Sequence, residues 1–166
     1  MRCVPVSPAS HGVATCGVAG LTPAWYGSRM ERAFPRTLEA LEGIFAWVSG
    51  FLGDEKIDEP AGFAVKFAVE EMFVNMVRYN RGAANDIVIA LSRAGDRLEV
   101  SLADFGVKPF DMTGVAEYDG NLPLEKRRPG GLGIHLTRRL MDKVEYRYEH
   151  GRSTITLTKM LGGTDV

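Results

Sequence analysis

The sequence predicts an α/β fold of the α+β kind, a two-layer sandwich in which helices cover one face of a mixed, mostly antiparallel sheet. Two long helical patterns come first, and two runs of alternating apolar and polar residues follow them. A long stretch without period then leads into a third helix and a terminal pair of strands. This order of elements, in a chain of 166 residues, predicts one domain with a core between its two layers.

The first elements are a short edge strand and two helices. MERAFPRT predicts the strand, which Pro35 closes. Pro60 is tolerated in a first helical turn, so the second helix is predicted from there to Asn80, before Gly82. Gly53 is suited to end the first helix, whose apolar residues recur three or four positions apart: Leu38, Leu41, Phe45, Val48 and Leu52.

Four further strands and a third helix complete the prediction. NDIVIALSR and DRLEVSLAD are two strands joined by a short turn at Gly95, because apolar and polar residues alternate in the second of them. Residues 106 to 130 have no sustained period, and a loop of this length in a small domain is usually functional or disordered. Residues 132 to 141 predict the helix, and VEYRYEH and STITLTKM predict a hairpin around Gly151.

Composition argues against several classes of function. Lys and Arg number 20 against 21 Asp and Glu, so no global basic field favours nucleic acid or an anionic membrane. No run approaches the roughly 18 apolar residues of a membrane span. The two cysteines, Cys3 and Cys16, favour a reducing cytoplasm over a disulfide framework, and with His11 they match no usual zinc spacing.

The second predicted helix carries a carboxylate and an amide on one face. Glu71 and Asn75 lie four residues apart, so their side chains stack one turn above the other. Most of their neighbours are apolar, and polar groups in such surroundings are costly unless something satisfies them. The alternative is an ordinary solvated stripe that also includes Glu70 and Arg78.

Two later segments have the chemistry of a nucleotide site. Asp104 ends a strand in ADFGVKPFD, and Gly106 leaves room for a ligand; such a carboxylate can accept a hydrogen bond from the exocyclic amine of adenine. RPGGLGIH then opens a helix whose free N–H groups and dipole attract anions, although it is neither a Walker A loop nor a dinucleotide fingerprint. A strand-ending turn and a flexible hinge are the respective alternatives.

Taken together, the segments EEMFVN, DFGVKPFD and GGLGIHLTRRLMDKVEYRY resemble the Asn box and the two glycine boxes of the GHKL ATPases, which have the Bergerat fold. The likeness covers about residues 31 to 160 and is greatest to the bacterial anti-sigma factors that are serine-protein kinases. Residues 31–166 are therefore predicted as a histidine-kinase-like ATPase domain and residues 1–30 as an irregular N-terminal segment.

The resemblance implies a cytoplasmic homodimer that binds ATP and Mg²⁺. Such a protein phosphorylates a serine of a STAS-domain antagonist and sequesters a sigma factor, and it has no direct contact with nucleic acid or membrane. A nucleotide-dependent partner switch with little or no kinase turnover is the alternative. A sensor histidine kinase would need a helical hairpin with a phosphoacceptor histidine, for which residues 1–30 are too short and irregular.

The resemblance also implies a role for individual residues. Glu71 matches the catalytic carboxylate, Asn75 the magnesium ligand, and Asp104 the aspartate that reads adenine, with Gly106 beside the base. The lid hinge and the helix start that faces the phosphates match four consecutive residues: Gly130, Gly131, Leu132 and Gly133.

Basic residues at the end of the long loop are candidates for binding the phosphates. Arg128, with Lys126 and Arg127 before it, is placed to approach them when the lid closes, and a solvated basic run is the alternative. Lys108 is a further candidate of the same kind. The chain departs from many relatives at Tyr79, where they carry His, and at Phe105, where an acidic or small residue is common.

Overall fold

A computed structural model describes residues 27–79, 83–109 and 131–162 of the chain. The order of elements confirms the predicted α/β fold class, and each predicted helix and strand is present within these residues. The elements are β1 (Arg29–Phe34), α1 (Ala40–Asp54), α2 (Glu59–Tyr79), β2 (Ile87–Ala94), β3 (Arg97–Phe105), α3 (Gly131–Leu140), β4 (Lys143–Glu149) and β5 (Arg152–Met160).

The five strands form one sheet in the order β1-β2-β3-β5-β4. Every pairing between the described strands is antiparallel, whereas the sequence analysis allowed for a mixed sheet. The hairpins β2–β3 and β4–β5 are antiparallel because a tight turn reverses the chain in each. Strands β3 and β5 also pair antiparallel. The register places Leu102 opposite Ile155, so the inward residues of both hairpins share one face.

The core lies between this inward face and the two long helices. The sheet buries alternate residues of its three central strands, including Ile89, Leu91, Leu98, Val100, Leu102, Ile155 and Leu157. Helix α1 contributes Ile44, Val48 and Phe51 to the same cluster, and α2 contributes Val65, Val69, Met72, Phe73 and Met76. Each such side chain stabilises the fold by roughly 1.5–3 kcal/mol when it is fully buried.

The start of helix α2 is capped by a side chain. The Asp58 side chain accepts a hydrogen bond from the backbone N–H of Ala61 at 2.8 Å, so it satisfies one of the free donors of the first turn. Pro60 occupies that same turn, where its missing N–H costs nothing. The described helices include none that is both long and apolar enough to cross a membrane.

Candidate functional site

The structure describes most of the residues to which the sequence analysis gave a role. Glu71 and Asn75 lie in α2, Asp104 ends β3, Gly106 follows it, and the run from Gly131 to Gly133 opens α3. Gly130 and Arg128 lie outside the described residues, as do the neighbouring loop positions 126 and 127. Lys108 and Leu132 are both exposed to solvent.

The first turn of α3 lies directly against the carboxylate of Glu71. A Cβ atom at Gly133 would lie 1.8 Å from Oε2 and 2.3 Å from Cδ of Glu71, closer than any real contact allows. Only a residue without a side chain therefore fits here while Glu71 keeps its position. The contact brings together two sequence motifs, the acidic residue of α2 and the glycine-rich start of α3, that lie about sixty positions apart.

The environment of Glu71 suits a proton acceptor. Burial raises the pKa of this carboxyl above its ordinary value, the charge of neighbouring Glu70 raises the pKa further, and Arg78 opposes both effects. A general base works best when its pKa lies closer to the operating pH than that of an ordinary carboxylate. The partial burial of Glu71 therefore favours the protonated form of this carboxyl more than full exposure to water would.

Two buried polar groups in α2 and α3 lack hydrogen-bond partners. The amide nitrogen Nδ2 of Asn75 and the hydroxyl oxygen of Thr137 are each buried, and neither has a partner within the described part of the chain. Thr137 follows Gly133 by four residues, so both lie on one face of α3. Buried polar groups are normally paired, so an amide nitrogen without a partner among the described residues is a candidate contact for a ligand atom. Thr137 could not be predicted as a site residue, because a single threonine in a helical pattern carries no signal.

The other end of the site is organised around Asp104, whose carboxylate has no exposed area. Arg36, in the connection after β1, binds it with both terminal nitrogens: Nη1 donates to Oδ2 at 3.1 Å, and Nη2 donates to Oδ1. The same guanidinium donates to the backbone carbonyls of Met76 at 3.2 Å and of Asn85 at 3.3 Å. Arg36 could not be predicted as a site residue, since an arginine after a strand-closing proline has the same sequence pattern as any surface residue.

The backbone after Asp104 needs glycine for a local reason. Gly106 has φ +70°, and its N–H donates to the carbonyl of Gly151 at 2.9 Å. A Cβ there would lie 3.0 Å from Nδ2 of Asn85, which itself donates to the carbonyl of Phe105 at 3.1 Å. A left-handed backbone conformation and this close amide together favour glycine. The described residues bring no three His, Cys, Asp or Glu side chains together in a way that would hold a metal ion.

Comparison with known proteins identifies the family. The model of the histidine kinase-like ATPase domain matches residues 34–159, a range that includes α2, β3 and the start of α3. The chain belongs to the histidine kinase-like ATPase domain family. The resemblance to GHKL ATPases that the three motifs predicted is therefore confirmed, and the contacts described above lie within the family's domain.

Individual relatives in the family are serine-protein kinases by name. The serine-protein kinase RsbW of Bacillus cereus is 33% identical over 102 residues, which cover 58% of this chain and 62% of that protein. The serine-protein kinase RsbW of Halalkalibacterium halodurans is 32% identical over 106 residues, which cover 61% of this chain and 64% of that protein. The chain thus spans less than two thirds of the length of these relatives.

A solved structure shares the fold. The structure of the RsbU and RsbW domains of a Mycobacterium tuberculosis protein superposes with a TM-score of 0.59 at 20% identity. The match covers 81% of this chain and 32% of the other. At this identity the likeness shows a common architecture of sheet and helices.

Proposed function

We propose that the protein is an ATP-dependent protein serine kinase and anti-sigma factor that acts on a STAS-domain antagonist. The observation that carries this proposal is the contact between Glu71 and the backbone of Gly133. It joins a carboxylate with a raised pKa to a helix start whose free N–H groups attract phosphate. A general base and a site for phosphate are two of the parts that phosphoryl transfer to a hydroxyl uses.

The residues at this end of the site fit a magnesium nucleotide. Asn75 has a buried amide nitrogen without a partner among the described residues, and Gly133 has no Cβ that would displace the Glu71 carboxylate. The Asn75 amide would donate to a phosphate oxygen, while its oxygen is of the type that Mg²⁺ prefers. When bound, Mg²⁺ offsets the negative charge of the phosphates. Asn75 is thus the residue of this chain that would hold the ion.

Glu71 acts on the hydroxyl of the acceptor serine. It orients the hydroxyl and takes its proton while the serine oxygen bonds to the terminal phosphorus of ATP. The bond from that phosphorus to the bridging oxygen breaks, and ADP leaves with the electron pair. Asp104, at the other end, accepts a hydrogen bond from the amine of adenine. The two carboxylates have different roles because their surroundings differ. Glu71 is partly buried beside Glu70, whereas Asp104 is bound by Arg36.

The partners and assembly in the proposal come from the family likeness. The names of the relatives in Bacillus cereus and Halalkalibacterium halodurans support a serine as the acceptor. Sequestration of a sigma factor, a homodimeric state and a cytoplasmic location complete the proposal by the same resemblance. A partner switch without turnover differs from it in one measurable property, the transfer of phosphate.

Phosphate transfer tests the proposal directly. The full chain is incubated with Mg²⁺, ATP labelled in its terminal phosphate and the STAS-domain protein encoded nearest to its gene. We expect label on a serine of that protein, and we expect Glu71→Gln to abolish labelling while ATP binding persists. Glu59→Gln is the matched control, because it changes another carboxylate of α2 that is not among the charges that shift the pKa of Glu71.

Other results would contradict the proposal in distinct ways. ATP binding without any label on the partner would favour the partner switch. Equal labelling by wild type and Glu71→Gln would show that another group takes the proton. Absence of ATP binding by the wild-type chain would refute the nucleotide site as a whole.

A further inference from the structure

The connection after β1 places one arginine at the base-binding end of the proposed site. Arg36 is the second residue after β1, and only 10% of its side chain is exposed. Its guanidinium makes four hydrogen bonds to three separate parts of the chain: the carbonyl of Met76, the carbonyl of Asn85 and both oxygens of Asp104. The side chain is therefore fixed from several directions.

Two of these three acceptor residues have a physical need for the donor. The carbonyl of Met76 is among the last four of α2, which have no partner within the helix. The carboxylate of Asp104 is fully buried and requires a counter-charge. Arginine satisfies both needs at once, because its planar fork matches a carboxylate while its remaining N–H groups point elsewhere.

The fork fixes how Asp104 presents itself to a ligand. Two parallel N–H···O bonds hold the carboxylate in the plane of the guanidinium, and the bonds to Met76 and Asn85 prevent that plane from turning. Both oxygens act as acceptors towards Arg36. A carboxylate offers about four acceptor positions, so a bidentate arginine does not exhaust its capacity.

We infer that Arg36 is a positioning residue that determines specificity for the base: it holds Asp104 as a fixed, accepting carboxylate that selects purines with an amino group at position 6. This inference rests on the proposed nucleotide site. A 6-amino group donates to the carboxylate, whereas a 6-carbonyl would place one acceptor against another. A base with only hydrogen at position 6 would leave the carboxylate without that donor.

A mobile gate is the competing role for an arginine that covers a buried carboxylate. A gate would have to leave Asp104 for adenine to bind, and it would give up four hydrogen bonds in doing so. Two of those bonds are to backbone carbonyls, which stay in place when a ligand arrives. The two backbone bonds therefore favour a clamp that stays in place, so a base must reach the buried Asp104 from a side that Arg36 does not cover.

The test compares nucleotides that differ only at position 6 of the base. Dissociation constants for ATP, inosine triphosphate and purine riboside triphosphate are measured by calorimetry on wild type, Arg36→Lys and Arg36→Met, with thermal unfolding as the fold control. We expect wild type to prefer ATP over purine riboside triphosphate by about tenfold or more, as for a hydrogen bond to a charged group. The preference should fall to about threefold or less in Arg36→Lys and vanish in Arg36→Met.

Two features of the design separate positioning from simple destabilisation. Affinity for purine riboside triphosphate should stay within about threefold of wild type, because the phosphate end does not touch Arg36. Arg93→Lys is the matched control, since Arg93 also pairs with a carboxylate, that of Glu55 at 3.7 Å, and it should keep the full preference. Arg36→Lys retains the buried positive charge, so the lysine variant decides the inference even where Arg36→Met fails to fold.

The remaining outcomes overturn the inference. A folded Arg36→Lys chain with the wild-type preference would make Arg36 a purely structural clamp, and tighter ATP binding by that variant would make it a gate. A wild-type chain that binds ATP and purine riboside triphosphate equally would show that Asp104 does not read the amine. Failure of the wild-type chain to bind any of the three nucleotides would refute the proposed function itself.

Discussion

Replacing Gly133 by alanine tests the contact on which the proposed kinase activity depends. The new Cβ would lie 1.8 Å from Oε2 of Glu71, and ordinary contact begins at 3.4 Å, so the carboxylate must move by about 1.6 Å. The obstacle is the end of a flexible side chain, which can turn away at a cost of about 0.5–1.5 kcal/mol. Alanine offsets part of this cost, because it favours a helix over glycine by up to about 1 kcal/mol. We therefore expect a folded protein with a misplaced base.

The expected loss is in turnover. A misplacement of about 1 Å in a reacting group can reduce the rate by roughly 10²-fold, so kcat for serine phosphorylation should fall by about that factor in Gly133→Ala. The dissociation constant for ATP should change far less, since the new methyl group is directed at Glu71. Transfer of labelled phosphate and calorimetry measure the two quantities separately.

Gly50→Ala is the matched control for helix propensity. Gly50 lies within α1, and a Cβ there would meet nothing within 4 Å. The control should gain up to about 1 kcal/mol in the free energy of unfolding and keep wild-type turnover. A folded Gly133→Ala chain with wild-type kcat would refute the reasoning, because it would show that phosphoryl transfer does not need the carboxylate where α3 holds it.

Three further predictions concern the remaining site residues. Asn75→Ala should reduce Mg²⁺-dependent ATP affinity at least tenfold in calorimetry, yet change the free energy of unfolding by no more than about 1 kcal/mol, because the amide nitrogen has no partner to lose among the described residues. Burial raises the pKa of Glu71, so the folded chain holds that proton more tightly than the unfolded chain does. The free energy of unfolding therefore falls as pH rises through the raised pKa. In urea unfolding, Glu71→Gln should be more stabilising relative to wild type at pH 7 than at pH 4. An equal effect at both pH values would contradict the shift. Gly106→Ala, at φ +70° and with its Cβ 3.0 Å from an amide nitrogen, should cost about 1–2 kcal/mol or more, and Gly95→Ala, at φ +59° in open space, gives the cost of the backbone conformation alone.

The elements of this fold were predictable because their signals are local. The apolar spacing in α2 and the alternation in β3 each lie within one element, and the predicted segments match the observed ones closely. The predicted second helix began near Pro60 and ended at Asn80, against Glu59–Tyr79 in the structure. The direction of strand pairing was less accessible, since it depends on which strands meet after a long connection.

Local sequence signals predicted one feature of the candidate site, and the contacts between distant segments had no such signal. Glu71 and Asn75 share a helix face, which four-residue spacing alone predicts. The contact between Glu71 and Gly133 has no local signal, and only the family resemblance connected the two motifs. Arg36 lies 68 positions from Asp104, so neither periodicity nor any single motif could pair them. Thr137 could not be predicted either, because its burial depends wholly on how α3 packs.

Helix α2 connects the two ends of the site. Glu71 contacts the start of α3, and five residues later the carbonyl of Met76 receives the arginine that clamps Asp104. At 1.5 Å per residue these two points lie about 7.5 Å apart along the helix axis, so one rigid element sets the distance between the base-binding and phosphate-binding ends. A change that shifts α2 along its axis would therefore alter adenine recognition and turnover together, whereas changes at Arg36 or Gly133 alone should separate them.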